Sequence, residues 1–330
     1  MAVSPNLGEI ITSTLRNRTG KPADSVSKNN ALLGRLLEKG NVDFADGGRT
    51  IVQELEYQEN QGFRWYSGYD LINVAPSDTL TAAEFDWKQA ILPISISGLE
   101  QMQNSGKNAL IKLLAFRIKN GMKTLRNNIA IGCYGDGTAG GGKAIGGLGL
   151  MVTTTPTTGT VGGINRANWP FWRNNFYGVV TTAGASAMTA GTAAGVIQGY
   201  MNQLYFACTR GADNPDLIIA DNIFYGYFLQ SLQAIQRITS DKMAQAGFVS
   251  VKYLQSDVVL DGGFGGGMPA STMYFLNTDY LFLRPHSERN MVEIGGERLN
   301  PNQDATIKLA GFMGNMTVNN MFLQGIFTNT

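Results

Sequence analysis

The order of segments in this chain predicts an α+β fold, and three observations carry that expectation. Helix-like and strand-like stretches follow one another without a regular βα repeat, which argues against a doubly wound sheet. One amphipathic helix of about 30 residues, roughly 45 Å long at the standard rise, dominates the first half. Charged residues make up only 15% of the 330, while 41 are glycine. A chain so poor in solvated surface is expected to finish its burial against copies of itself.

Residues 1–50 read as an arm, polar and rich in Asn and Gly apart from one short helix. In that helix Leu32, Leu33, Leu36 and Leu37 share a face, Asn30 is placed to cap the start, and Gly40 ends it. Two or three turns do not stand alone, so this piece must dock in cis or in trans. Residues 51–92 read as a long hairpin, with IVQELEY and EFDWKQAIL as strand-like flanks. Arg64, Trp65, Tyr66 and Tyr69 fall near its tip, where an isolated hairpin offers no core. The hairpin therefore either folds back on its own domain or lies across a neighbouring subunit.

Ser97-Gly98-Leu99-Glu100 forms a capping box. Behind it Leu99, Met102, Leu110, Leu113, Leu114, Ile118, Met122, Leu125 and Ile129 keep a helical period as far as Gly132. Lys112, Lys119, Lys123 and Arg126 cluster on the face opposite, either as a solvated face or as a candidate basic strip facing an acidic neighbour or a polyanion. From Ala144 to Thr209 the only charged residues are Arg166 and Arg173, in a stretch that includes Trp169-Pro170-Phe171-Trp172. Low charge with aromatics is the composition of interface cores. Later elements are expected as helices over 193–208 and 223–238, and strands over 216–220, 249–260, 273–283, 306–312 and 315–327.

Several functions are excluded by composition. Cys133 and Cys208 are too few for a disulfide framework or a cysteine zinc site, and His286 is the lone histidine. No catalytic, cofactor-binding or metal-binding set can be assembled; Glu54 and Glu56 share a strand face without any cleft to act in. With 26 basic and 25 acidic residues the formal charge is +1, so no global field recruits nucleic acid or membrane. The N-terminal residues lack a signal-peptide pattern, and no apolar run is long enough to span a bilayer, so synthesis in a reducing cytoplasm is expected. Gly137 to Lys143 fits the phosphate-loop spacing, but Ala144 stands where a Ser or Thr should hold magnesium, and the loop follows a helix rather than a strand. A nucleotide-binding enzyme is thus a remote alternative.

Taken together, DGGRTIVQELEY, WKQAILPISISGLE, the long helix through IAIGCYGDGT and the GGK-IGGL junction resemble, in order and spacing, the major capsid proteins of tailed bacteriophages, which have the Hong Kong phage-type fold. The resemblance implies an N-terminal arm over 1–50 and an extended loop over 51–92. It also implies a peripheral domain over 93–144 and 284–330, with its spine helix over 97–131, and an axial domain over 145–283. It implies no enzyme activity and no cofactor. The expected role is a structural subunit, gathered as pentamers and hexamers into an icosahedral virion shell around double-stranded DNA. Assembly is expected in the host cytoplasm, with a portal and a separate scaffolding or decoration protein as partners and no membrane. An encapsulin-type shell around cargo protein is the alternative. Thr50 to Trp87 contains no lysine, so no lysine-to-asparagine cross-link from the loop is expected. With Met1 about 50 residues ahead of the loop, no fused scaffolding segment is expected either.

Overall fold

The computed structural model describes residues 30–71, 77–103, 107–232, 250–262, 267–299 and 304–330. Helix α1 (Ala31–Lys39) precedes a hairpin of β1 (Thr50–Glu56) and β2 (Leu80–Asp86). Strand β3 (Lys88–Ser97) then leads into α2 (Gly98–Gln103) and the long α3 (Lys107–Gly132). A small finger, β4 (Thr160–Val161) and β5 (Ile164–Asn165), comes before β6 (Asn175–Gly178), α4 (Ala193–Ala207), β7 (Leu217–Ala220) and α5 (Asn222–Ser231). The remaining strands are β8 (Ser250–Tyr253), β9 (Ser256–Leu260), β10 (Thr272–Leu276), β11 (Leu281–Pro285), β12 (Val292–Leu299), β13 (Ala305–Val318) and β14 (Gly325–Thr328).

Two sheets organise these elements, as an α+β fold requires. The six-stranded sheet runs β6-β14-β10-β7-β9-β8, with β7/β9 and β14/β6 parallel and the other pairs antiparallel. Alternation along its strands feeds two separate cores. Ile218, Val258, Met273, Phe275 and Phe327 pack under α4 and α5, whereas Leu217, Ile219, Val259, Tyr274 and Leu276 face the rest of the chain. The second sheet is built on β13, which carries β3 along one edge and β12 followed by β11 along the other. Helix α3 crosses β3 at Gly121, where a side chain would meet Leu92 and Ile94.

Helix α1 docks in cis. Asn30 Oδ1 accepts from the Leu33 amide at 2.9 Å, and Gly40 closes the helix in the left-handed region, with its own amide on Leu37 O and that of Asn41 on Leu36 O. Ala31, Leu32, Leu33 and Leu36 are buried, while Leu37 turns to solvent. Asp216 accepts from Arg35 Nε (3.2 Å), pairs with Lys39 Nζ (3.0 Å) and receives the Thr278 amide and hydroxyl. At the other end the Asp261 carboxylate takes the Ala31 amide and the Tyr134 hydroxyl, tying helix, sheet and the end of α3 together.

Some expectations change. The segments 306–312 and 315–327 are not separate strands, because β13 runs unbroken through Gly311 and Gly314 to Val318 and only β14 is distinct. Gly311 sits where Ile294 fills the space of a side chain, so the glycine there serves close packing rather than a turn. The single strand expected in EFDWKQAIL divides at Trp87 into β2 and β3, which belong to different sheets. Leu99 and Met102 are exposed, Ile118 and Met122 are half-buried and Leu125 and Ile129 are buried, while the side chains of Leu110, Leu113 and Leu114 lie outside the described residues. Helix α5 is described to Ser231, and the rest of the helix expected to residue 238 lies outside the described residues.

Candidate assembly surfaces

The hairpin divides into a rooted base and a bare tip. In its register Ile51 faces Phe85 and Leu55 faces Thr81; Ile51, Leu55, Ala83 and Phe85 enter the core. The β4–β5 finger supports this base from below. Glu84 N donates to Gly162 O at 3.0 Å, and Gly162 (φ +59°) lies so close to Ala83 that no side chain fits. Tyr57 stacks on Trp169 and Phe171, with centroids 5.9 and 5.6 Å apart. Past that cluster the cover ends. Trp65 is 90% exposed, and Phe63, Tyr66, Tyr69 and Leu71 are exposed beside it. Within the tip Phe63 and Trp65 meet edge-on at 5.5 Å, Arg64 Nη1 donates to Leu71 O at 3.0 Å, and Ser67 N donates to Asp70. These contacts shape the tip without burying it.

The long helix starts as its sequence predicts. Ser97 N donates to Glu100 Oε2 at 3.2 Å and Glu100 N to Ser97 Oγ at 3.3 Å. Arg117 then grips both oxygens of Glu100, at 2.9 and 3.0 Å, and holds that carboxyl below its ordinary range. Of the candidate basic strip, Lys119 and Arg126 are exposed, Lys123 is half-buried and engaged with a neighbouring group, and the side chain of Lys112 lies outside the described residues.

Part of the low-charge stretch turns inward rather than outward. Trp172 is buried, with Nε1 donating to Val161 O at 2.9 Å, while Phe171 is half-buried and Trp169 stays exposed. Arg166 is buried with no carboxylate partner among the described residues. Its guanidinium donates to the carbonyls of Leu150 (3.0 Å) and Met151 and to Thr153 Oγ1 (3.1 Å), while burial lowers its pKa to about 10. No feature of its sequence neighbourhood distinguishes it from Arg173, which donates to the carbonyls of Arg166 and Ala167 at the surface.

No chemistry collects around the remaining candidates. The glycine segment leaves α3, doubles back through left-handed Gly137, Gly140, Gly141 and Gly142, and closes by pairing Asp136 with Gly146. It follows a helix rather than a strand and leads only into the single turn Leu148–Met151, so it lacks the strand before and the long helix after that a phosphate loop needs. The depression beside it, about 150 Å³, is lined by Lys88, Lys143, Leu125, Ile129 and Phe312 among others, with no carboxylate, thiol or hydroxyl. Burial pushes both thiols, Cys133 and Cys208, up to about 12, which leaves them inert. His286 Nδ1 accepts from the Glu288 amide beside the Trp87 ring. Among the described residues there is no cluster that could hold a metal and no helix long and apolar enough to cross a membrane.

No protein-family model and no curated protein matches the chain. Solved structures do. A Cyanophage A-1(L) capsid chain is 14% identical, with 96% of this chain and 97% of that one covered at a TM-score of 0.68. A chain from Gordonia phage Cozz (11% identity, 99% and 95% covered, TM-score 0.56) and the capsid of an empty GTA particle (11%, 99% and 99%, TM-score 0.54) are also similar. At these identities the likeness establishes the fold. The chain has the Hong Kong phage-type capsid fold.

Proposed function

We propose that this chain is the major shell subunit of a tailed-phage head, gathered as pentamers and hexamers around double-stranded DNA and held without covalent cross-links. The observation that carries this reading is the coverage, because 96% of this chain lies on 97% of a phage capsid chain. In this reading residues 1–50 are the arm, 51–92 the extended loop, 93–144 with 284–330 the peripheral domain around spine helix 97–131, and 145–283 the axial domain that meets its copies at each symmetry axis. A portal and a separate scaffolding or decoration protein complete the virion.

The bare tip supports the same reading. Each aromatic ring there would remove about 150–250 Å² from water on contact with a neighbour. At about 25 cal/mol per Å² that is on the order of 4–6 kcal/mol each, before the entropy of association is subtracted. Expression of the chain, followed by electron microscopy and light scattering, tests the proposal. Closed shells that hold nuclease-resistant DNA when made with packaging partners, and that dissolve in hot detergent to one 35.6 kDa band, are expected. A monodisperse single subunit would overturn it, and shells filled with cargo protein would reassign them to an encapsulin-type role.

A further inference from the structure

The hairpin joins its own subunit through two narrow links. The chain enters at Gly47 and Gly48, both in the left-handed region (φ +121° and +98°), and leaves at Trp87, whose Nε1 donates to Gly48 O at 3.0 Å. A side-chain brace lies just above them. Along the inward face of β1, half-buried Gln53 stands between buried Ile51 and Leu55, a polar residue where the alternation calls for an apolar one. Its Oε1 accepts from Arg284 Nη2 at 2.9 Å. The same guanidinium pairs through Nη1 with Asp43 Oδ2 (3.3 Å) and donates through Nε to Thr317 Oγ1 (3.2 Å), with its carbon 5.6 Å from the Phe282 ring centroid. Asp43 belongs to a stretch that runs parallel beside β11, where Asp43 N donates to Leu283 O and Ala45 N to Pro285 O. One side chain thus fastens the hairpin, the segment after α1 and β13 to one another.

We infer that Arg284 is a positioning residue for assembly: its three-way grip fixes the tilt of the hairpin against its own subunit, and with it the size at which shells close. This rests on the shell-subunit reading and assigns a residue within it. Apolar packing under Ile51, Leu55 and Phe85 keeps the hairpin down but is non-directional. Hydrogen bonds of fixed geometry specify an angle. The planar fork of arginine serves three acceptors at once in set directions, which the point charge of a lysine does not. A small error at this root is magnified at the tip. Trp65 stands twelve residues beyond Gln53, at most about 40 Å of extended chain, so a tilt of about 10° would displace it by up to about 7 Å. Subunits whose hairpins differ by that much cannot all meet their copies at one angle, and a closed container of single size requires one angle set.

Two readouts in the full-length chain test this. Spin labels at Ser67→Cys on the exposed tip and Gln203→Cys on the exposed face of α4 report the tilt in the unassembled subunit, since Cys133 and Cys208 are buried. Arg284→Gln should widen their distance distribution about twofold. It should also lower the share of shells with the wild-type diameter about fivefold, equivalent to about 1 kcal/mol of discrimination between sizes. Arg284→Lys should fall between wild type and Arg284→Gln in both readouts. Gln53→Ala leaves Arg284 its Asp43 and Thr317 partners, should move both readouts in the same direction, and decides the question if Arg284→Gln misfolds. An unchanged width overturns the inference, and so does a widened distribution with shells of normal diameter. A lower shell yield with width and diameter unchanged also overturns it, because Arg284 would then only support the fold. A wild-type chain that never assembles overturns the shell reading as well, whereas normal wild-type shells with unresponsive variants remove this role alone.

Discussion

Helix α1 and the hairpin tip pose the same problem, since each is a short apolar piece that cannot stand alone, yet they solve it differently. The helix buries Leu32, Leu33 and Leu36 against its own subunit and is clasped by Asp216 and Asp261 at its two ends. The tip presents Trp65, Tyr66 and Tyr69 to water with only main-chain and edge contacts among themselves. One segment completes the subunit; the other is surplus to it. Burial in cis, and not apolar composition, is what separates a structural element from a candidate contact.

Truncation of the helix should give the largest effect on the isolated subunit. Leu36→Ala should cost about 2–5 kcal/mol in denaturant unfolding, because the side chain is fully buried and its neighbours cannot collapse into the space. An effect below about 1 kcal/mol would place α1 on the same footing as the tip.

The next effect is pH-dependent. Burial raises the Asp261 carboxyl to about 6, above its value of about 3.9 in the unfolded chain. The folded state therefore holds a proton that the unfolded state has lost, and this group's stabilisation is full below about pH 4 and fades as pH rises through 6. Asp261→Asn removes that dependence. Between pH 4 and pH 7 the stability of the variant should gain on wild type by on the order of 2 kcal/mol, and a constant difference across that range would sink the assignment.

Smallest of all should be the change in subunit stability on replacing Trp65 and Tyr66 with Ala, within about 0.5 kcal/mol. Shell yield and shell melting temperature should nonetheless fall. If the subunit loses stability while the shell is untouched, the comparison is inverted and the hairpin belongs to its own domain.

Local chemistry was legible wherever two residues close in sequence decide the outcome. Asn30 with Gly40 bounded α1, and Ser97 with Glu100 fixed the start of the long helix. What eluded the sequence depended on distant partners. Gly311 and Gly314 look like a break until Ile294 and the backbone of Arg284 are seen to occupy the side-chain space, after which β13 must run on. Leu99 and Met102 fit the helical stripe, yet both are exposed among the described residues. Nothing near Arg166 marks it as buried, because its acceptors are carbonyls and a hydroxyl, which leave no sequence signature.

The glycine loop between Asp136 and Gly146 has a practical use. Its two ends are clamped to each other and to the end of α3, and the residues between them are exposed and packed against little. Doubling the length of such a segment costs only about 0.6 kcal/mol of closure entropy. In the proposed shell, a foreign peptide spliced in at Gly141 would be carried once on every subunit, at a spacing set by the symmetry of the container.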